Sequence, residues 1–442
     1  MKIAVIGTGY VGLVTGVVLA RLGHSVICVD NDADKLEKLR RGEPPIFEPG
    51  LEEMLKAALA SGRLGISESV SAATRASEIV FIAVGTPPGP DGTPDVGAVR
   101  AAACEIAAGI ENYTVVVNKS TVPIGTADLV ERLILDSGVA REHFDVVSNP
   151  EFLREGVAIQ DTLQPDRIVI GSRSERATNL LLKALDGIEA DVVTTDPHSA
   201  ELIKYAANGF LAMKVSYINN IARLCEACDA DVAHVARGIG LDARIGTAFL
   251  GAGLGWGGSC LPKDVAGLVK TAEQMGEDFK LLKAAQLTDV EQVERFVERI
   301  DRRLGGLKGK TLAVLGLAFK PSTDDLREAK SLVIIGMALK RGAVIRAYDP
   351  VAMPGARKVF PQIVYAADPY DAVRDADALV LVTEWDEFKK LDLGRAAAAM
   401  RGRVVFDGRR ALSAEAVRAA GLEYHTIGSR PLGHDARGDA PA

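Results

Sequence analysis

The stretch Gly255-Trp256-Gly257-Gly258-Ser259-Cys260-Leu261-Pro262-Lys263-Asp264 holds the most reactive side chain that the sequence can place. A cysteine behind small residues lies on backbone that a ligand can approach closely. Pro262 and Asp264 read as the first turn of a helix. A thiol at a helix N-terminus beside Lys263 has its thiolate favoured, and the thiolate is the form that attacks carbonyl carbon. The alternative is a buried inert cysteine, a common fate for this residue. Cys28, Cys104, Cys225 and Cys228 fit that second reading better. Cys225-x-x-Cys228 lies inside a helical pattern and has neither a second pair nor histidines with which to hold zinc. The six histidines show no metal-ligand spacing, so no metal is expected.

Proton-handling groups stand elsewhere. Asn149-Pro150-Glu151-Phe152-Leu153-Arg154-Glu155 follows a predicted strand and sets two carboxylates four apart at what reads as a helix start. Glu151 or Glu155 is then a general base, or both simply complement the helix dipole. Glu201, Lys204, Tyr205 and Asn208 occupy successive turns of a long helix, with Lys204 and Asn208 on one face. That row is either a solvated stripe or one wall of an active site. Lys119-Ser120-Thr121-Val122-Pro123 ends a strand, its hydroxyls suited to a nicotinamide or a substrate. Gly85-Thr86-Pro87-Pro88 also ends a strand, where open α/β sheets place ligands, unless it is only a proline turn.

Gly7-Thr8-Gly9-Tyr10-Val11-Gly12 follows an apolar strand and opens a helix, and Asp30 stands 18 residues after Gly12 at the end of the next strand. Gly7 permits the tight turn, Gly9 the approach of a pyrophosphate, and Gly12 the packing of helix on sheet. The helix N-terminus offers free N–H groups to phosphate. Asp30 accepts from ribose hydroxyls and repels a 2′-phosphate, with Asp32 adding charge, so NAD is expected rather than NADP. Lys35 either reaches the adenosine side or is a solvated helix lysine.

These groups need a scaffold. Strands are expected at residues 2–6, 24–30, 79–84, 114–118, 145–148 and 167–170 with helices between them, the pattern of a parallel sheet. From about 197 to 300 strand-like runs are scarce and helical periodicity is sustained, with a long helix starting near Asp196–Ser199. After Gly305-Gly306-Leu307-Lys308-Gly309 the opening order returns. TLAVLGLAF resembles KIAVIGTGY, GAVIRAYD resembles GHSVICVD, DALVLVTEW resembles SEIVFIAVG, and RVVFDGR resembles TVVVNKS. The expectation is an α/β protein of two Rossmann-like, doubly wound parallel-sheet domains joined by a helical central domain: 1–196 binding NAD, 197–300 helical, 308–428 a second Rossmann-like domain, and a disordered tail over 429–442. Gly316-x-Ala318 lacks the full fingerprint, so a second dinucleotide is not expected.

Composition agrees. A chain of 442 residues exceeds the ~150 of one domain. With 48% hydrophobic and 25% charged residues it is no disordered chain, and a net charge of -7 makes nucleic acid or an anionic membrane an improbable general partner. Five cysteines without a framework argue against a disulfide-built secreted protein. No apolar run approaches the ~18 residues of a bilayer span. The apolar opening, broken by Gly7, Gly9 and Gly12, reads as a first strand rather than a leader, and a cytoplasmic location is expected.

Taken together, MKIAVIGTGYVGL, VDND, PPIFEPGL, VGTP, KSTVPIGT, SNPEFLREG, ELIKYAANGFLAMKVSYINN, FLGAGLGWGGSCLPKD, GLAFKPSTDDLREA and FDGRR make the chain resemble the UDP-glucose/GDP-mannose dehydrogenase family, and within it the UDP-glucose 6-dehydrogenases, over residues 1 to about 428. The resemblance implies a cysteine nucleophile at Cys260 forming a thiohemiacetal and then a thioester. It implies Lys204 and Asn208 at the reacting C6 oxygen, Asp264 beside the cysteine chemistry, and Thr121 and Glu151 positioning water, Glu151 as base for hydrolysis. It implies NAD contacts at Asp30, Lys35, Thr86, Thr121, Glu155, Lys263 and Arg327. The UDP-sugar positions it implies are Glu151, Phe152, Leu153, Arg154, Glu155, Phe249, Leu250, Gly251, Ala252, Gly253, Gly257, Phe319, Lys320 and Arg409. Arg244 matches an arginine that reaches a neighbouring subunit's substrate, so a homodimer is expected. Trp256 stands where many members carry Tyr, keeping a wall beside the sugar.

What this implies is NAD-dependent, four-electron oxidation of UDP-glucose at C6. GDP-mannose or another sugar nucleotide within the same family stays an alternative. A two-electron hydroxyacid-type dehydrogenase is opposed by Cys260. A silent nucleotide-sugar-binding regulator would be expected to lose Cys260, Lys204 or Asp264, all present here.

Overall fold

The structure is a computed structural model that describes residues 1–89 and 92–429; the expected tail lies, after its first residue, outside them. The chain forms two compact units. The first comprises Met1–Asn208 and Ala266–Asp278, the second Gly209–Val265 and the chain from Phe279 onward.

In the first unit eight strands form one sheet: β1 (Lys2–Ile6), β2 (Ser25–Val29), β3 (Leu64–Ser67), β4 (Ile79–Ile82), β5 (Thr114–Asn118), β6 (Phe144–Ser148), β7 (Arg167–Gly171) and β8 (Asp191–Thr195). Their order is β3-β2-β1-β4-β5-β6-β7-β8. The run from β3 to β6 is parallel and has the doubly wound dinucleotide order. β7 then runs antiparallel to β6, and β8 parallel to β7. Strands of a parallel sheet are buried on both faces, so their residues alternate between two cores. Ile3, Val5, Ile79, Phe81, Val115 and Val117 pack on one side. Ala4, Ile6, Val80, Ile82 and Val116 pack on the other. β3 and β8 escape the sequence pattern because they lie at the sheet's edges: β8 (DVVTT) is exposed over Asp191–Thr194, so nothing forces an apolar run there.

The second unit holds a six-stranded sheet of β9 (Thr311–Leu315), β10 (Val344–Tyr348), β11 (Val364–Tyr365), β12 (Ala378–Leu381), β13 (Val404–Asp407) and β14 (Glu423–Thr426). It is parallel throughout, in the order β11-β10-β9-β12-β13-β14. The four repeated sequence segments are β1/β9, β2/β10, β4/β12 and β5/β13, which occupy matching places in the two sheets. The second sheet ties its strand ends with Asp349 just after β10. One of its oxygens accepts from Leu317 N and Ala318 N at 2.7 and 3.1 Å and from Trp385 Nε1 at 3.1 Å. The other accepts from Val351 N and Ala352 N.

Between the sheets in sequence run helices over Pro197–Cys228, Val232–Gly240, Leu261–Gln274 and Lys280–Leu304. Asp196 opens the first, accepting from Ser199 N at 2.9 Å and Ser199 Oγ at 2.6 Å; these bonds hold its carboxyl well below the usual range. The helix Lys280–Leu304 stops at Gly305, whose φ of 67° is one that glycine adopts without strain.

Candidate active site

The glycine turn after β1 divides its work. Gly7 has a φ of 96°, and a Cβ there would lie 2.6 Å from Ala83 O. A Cβ on Gly12 would overlap Gly7 O. Gly9 differs: its backbone is extended and a Cβ would meet no protein atom within 4 Å. The protein therefore does not itself need glycine at position 9, and the open space lies where a pyrophosphate would approach. No side chain caps the helix Tyr10–Arg21 that begins there. Asp30 Oδ2 accepts from Thr8 N at 2.9 Å and Thr8 Oγ1 at 2.6 Å. Burial alone would push the Asp30 carboxyl up, but these bonds, Asp32 N–H and the Lys35 ammonium hold it below its ordinary value. Lys35 Nζ lies 3.8 Å from Asp30 Oδ2 on a partly exposed side chain. Asp32 is spent on capping the next helix, accepting from Asp34 N and Lys35 N. Tyr10 Oη donates to Phe47 O at 2.6 Å. These residues fit a dinucleotide: an open cradle at Gly9, an uncapped helix end and an ionised carboxylate.

At the carboxyl ends of β4, β5 and β6 the remaining first-unit residues gather. Thr86 is buried and its Oγ1 donates to Thr121 O at 2.8 Å, so the Gly85–Pro88 turn is laced to the loop after β5. Lys204 is buried, with Nζ 3.1 Å from Glu151 Oε1. Glu151 Oε2 accepts from Leu153 N at 2.7 Å. Phe152 lies under both the Arg167 guanidinium, 3.7 Å from the ring centroid, and Lys204 Nζ, 5.2 Å away. Arg154 is tied to Asp161 by two bonds, at 2.7 and 2.9 Å. Glu201, Lys204, Tyr205 and Asn208 are all buried, which removes the solvated-stripe alternative.

One local expectation fails. Residues 149–155 are not a helix start: the chain stays irregular there and the helix begins at Ala158. The buried Asn149 amide holds the loop open by donating to Val169 O at 2.8 Å and accepting from Lys119 Nζ at 2.9 Å. Glu48, from PPIFEPGL, takes Gly156 N at 2.6 Å and Ala158 N at 2.7 Å instead. The dipole explanation of Glu151 and Glu155 therefore falls.

Two first-unit charges went unassigned by sequence. Glu201 accepts from Gly125 N at 2.6 Å, Ala127 N at 2.9 Å and Ser148 Oγ at 3.0 Å, binding the loop after Thr121 to the long helix. Burial raises its carboxyl despite those bonds. Lys119 falls to about 8, first through loss of solvent, with Glu151 opposing the fall and the Lys204 ammonium adding to it.

In the second unit Cys260 is half-buried, immediately before the helix Leu261–Gln274, with Sγ 3.4 Å from Ser259 Oγ. Lys263 Nζ pairs with the buried Asp264 at 2.6 Å. The glycines before the cysteine are also required by the second unit's own packing. A Cβ on Gly255 would overlap Asp289, one on Gly257 would overlap Glu328 O, and one on Gly258 would sit 2.6 Å from the Phe319 ring. They are small because the second unit's own chain fills the space. Trp256 is buried, its Nε1 donating to Ser216 Oγ at 3.0 Å. Asp289 accepts from Trp256 N at 2.7 Å and from Lys330 Nζ, and burial pushes its carboxyl up even against the Lys330 charge. Asn219 and Gln292 grip the Gly253 peptide from both sides, at N and O, each at 2.9 Å. Asp289, Lys330, Asn219 and Gln292 carried no sequence signal, since their partners are remote in the chain.

Leu250 and Ala252 are buried, whereas Phe249 has a φ of 63° and is exposed; a Cβ on Gly251 would meet nothing. Arg409 donates to Val382 O at 2.8 Å, Phe319 O at 3.2 Å and Gly255 O at 3.4 Å, so one guanidinium joins three loops. Lys320 Nζ lies 5.5 Å from the Phe319 ring centroid. Arg327 is paired with Asp325 and its carbonyl accepts from Gly258 N at 3.0 Å. Arg244 projects into solvent beside Asp242, 2.6 Å away. Of the other cysteines, Cys28 is buried and pushed up to about 12 by burial, so it is inert.

Comparison with known proteins fits this arrangement. Three models of the UDP-glucose/GDP-mannose dehydrogenase family match: the NAD binding domain over residues 1–186, the central domain over 198–290 and the UDP binding domain over 313–414. The chain is 46% identical over 442 residues to the UDP-glucose 6-dehydrogenase TuaD of Bacillus subtilis, covering 100% of this chain and 95% of that one. It is 46% identical over 435 residues to a UDP-glucose 6-dehydrogenase of Rhizobium meliloti, 97% and 99% covered. A solved UDP-glucose dehydrogenase from Pyrobaculum islandicum superposes with a TM-score of 0.91 at 42% identity, covering 97% of each chain.

The two fingerprint glycines should separate stability from binding. Gly12→Ala forces a clash with Gly7 O and should cost about 2 kcal/mol or more in urea unfolding. Gly9→Ala should leave stability within about 0.5 kcal/mol and weaken NAD binding roughly tenfold, about 1.4 kcal/mol, by calorimetric titration. The reverse pattern would show that Gly9 has a packing role.

Lys119 sets a pH signature. Its folded value of about 8 lies below the ordinary 10.5, so between the two the unfolded chain binds more protons. Stability must then rise with pH over that window. Unfolding midpoints of the unmodified protein relative to Lys119→Gln should climb from pH 8 to 10 by an amount on the order of a few kcal/mol. A flat difference would place Lys119 in water.

Proposed function

The chain belongs to the UDP-glucose/GDP-mannose dehydrogenase family, and from that premise we propose that this NAD-dependent oxidoreductase converts the C6 alcohol of UDP-glucose to a carboxylate, giving UDP-glucuronate. Cys260 carries the reading: a half-buried thiol ahead of a helix is needed only if an aldehyde is oxidised further. The full-length likeness to enzymes named for UDP-glucose supports this choice of sugar.

Lys204, in its neutral amine form, takes the proton of the C6 hydroxyl and as the ammonium so formed faces the oxygen, Asn208 holds that oxygen, and Glu151, 3.1 Å from Nζ, fixes the lysine. The Gly7–Gly12 turn, Asp30, Lys35, Thr86, Thr121, Glu155, Lys263 and Arg327 would hold NAD, which would supply a hydride acceptor for each of two oxidations. An aldehyde has no second hydride to give until a nucleophile adds. The Cys260 thiolate forms the C–S bond, and the resulting thiohemiacetal carries a transferable hydride on C6. Its oxidation leaves a thioester. Water, positioned by Thr121, attacks; Glu151 takes its proton, the C–S bond breaks, and the thiolate departs as the carboxylate forms. Asp264, paired with Lys263 at 2.6 Å, helps activate the chemistry near the thiol. Residues 151–155 and 249–253, with Gly257, Phe319, Lys320 and Arg409, line the UDP-sugar, and the buried Trp256 walls the sugar.

We assign a homodimer in the cytoplasm. The long helix leaves Phe210, Tyr217 and Leu224 exposed at seven-residue spacing, an apolar row that suits a second copy. Arg244, on an exposed loop, then reaches the partner's sugar nucleotide. Mixed subunits carrying Arg244→Ala and Cys260→Ala should regain part of the activity each lacks alone. No recovery under verified exchange would remove the cross-subunit role.

Stoichiometry tests the mechanism. The unmodified enzyme should form two NADH for each UDP-glucose consumed, with little free aldehyde. Cys260→Ala should lose the four-electron reaction and still bind NAD, because the fingerprint lies in the other unit. One NADH per sugar, or full activity in the alanine variant, would overturn the thioester route.

A further inference from the structure

At the carboxyl ends of β5 and β6 the first unit contains a small, water-sized cleft whose walls include Asn118, Ser120, Thr121, Ser148, Glu201 and Lys204. Most of its polar atoms are engaged. Ser148 Oγ donates to Glu201 Oε1 at 3.0 Å, and Ser120 Oγ donates to Val84 O at 2.7 Å. Lys204 Nζ faces Glu151. Asn118, the last residue of β5, is the exception. It is 1% exposed, and neither its side-chain oxygen nor its side-chain nitrogen has a hydrogen-bond partner in the protein.

A buried amide left wholly unmatched costs free energy on both its donor and its acceptor, and native proteins rarely tolerate that. Whatever matches it must donate to Oδ1 or accept from Nδ2, and must fit between β5, β6 and the long helix. Water does both, needs about 30 Å³, and is held where several polar groups converge. An apolar residue at position 118 would fill the same space at no polar cost, so the amide is explained by a bound partner rather than by packing.

We propose that this cleft binds an ordered water held by Asn118 at the foot of Lys204, and that Asn118 is through this water a positioning residue for the reaction. The inference rests on the assignment of Lys204 to the C6 hydroxyl. Lys204 Nζ is held from one side by Glu151 and lies over the Phe152 ring; the water supplies a further polar contact that fixes where the nitrogen points. A small misplacement of such a base is costly to rate but not to ground-state binding.

Two substitutions separate this role from packing. Asn118→Leu keeps the branched shape and heavy-atom count, expels the water with its larger methyl groups and offers no hydrogen bond. Asn118→Ala leaves room for a second water to replace the amide. Stability and activity should therefore rank oppositely: leucine at least as stable as the unmodified protein, alanine less stable. Asn118→Leu should lower kcat about tenfold or more with KM for UDP-glucose and NAD within about twofold, and Asn118→Ala should keep kcat within about threefold. A crystal structure of the unmodified full chain at near-atomic resolution should show water within hydrogen-bond distance of the Asn118 amide. A dry cleft, an unchanged kcat in Asn118→Leu, or a lower kcat in alanine than in leucine would overturn the proposal. An unmodified protein silent on UDP-glucose would instead overturn the assignment it rests on, and the density at Asn118 would then decide the water by itself.

Discussion

A buried ammonium survives only beside its countercharge, and the first unit is arranged around that constraint at Lys204. Taking either ion out of water costs several kcal/mol, which mutual attraction offsets only with close geometry and further hydrogen bonds. Lys204 meets it with Glu151 at 3.1 Å, and Glu151 completes its own shell with Leu153 N–H. Three residues earlier on the same helix, Glu201 meets it differently, by collecting two backbone N–H groups and a serine hydroxyl. The result is one helix that anchors the loop after β5 and presents an amine to the end of the sheet. Moving the helix by a fraction of a turn would strand both charges.

The same constraint recurs in the second unit. Asp289 is raised by burial and is kept in place by Lys330 and Trp256 N–H. Asp349 spreads its charge over five N–H donors from the ends of three strand connections. Arg409 distributes its guanidinium over carbonyls of three loops. Each of these charged groups joins segments distant in sequence, so loops that carry candidate site residues are held by groups that are costly to disengage.

Glycine serves opposite purposes in the two units. In the first, Gly7 and Gly12 admit the protein's own backbone, and Gly9 leaves space that no protein atom fills. In the second, Gly255, Gly257 and Gly258 are all pressed by the chain itself, against Asp289, Glu328 and Phe319. The crowding restricts the conformation of the segment before Cys260. It is a constraint on shape.

Much of this was legible in the residues alone. The fingerprint, the long helix opened by Asp196, the repeat of four strand segments and the placement of Cys260 ahead of a helix all arise from local pattern, because turn, cap and strand periodicity depend on near neighbours. Edge strand β8 was not legible, since an exposed strand has no obligatory apolar alternation. Nor was the loop at 149–155, where Asn149, Lys119 and Glu48 outweigh a local helical signal through bonds to residues 20 to 110 positions away. The sequence by itself determined the strand order's building blocks, the cofactor turn and the candidate site residues, all written within short windows. Only the tertiary structure decided which charges neutralise which, that Glu201 clamps the loop after β5, and that the buried Asn118 amide finds no partner in the protein, because burial and pairing are properties of neighbours in space.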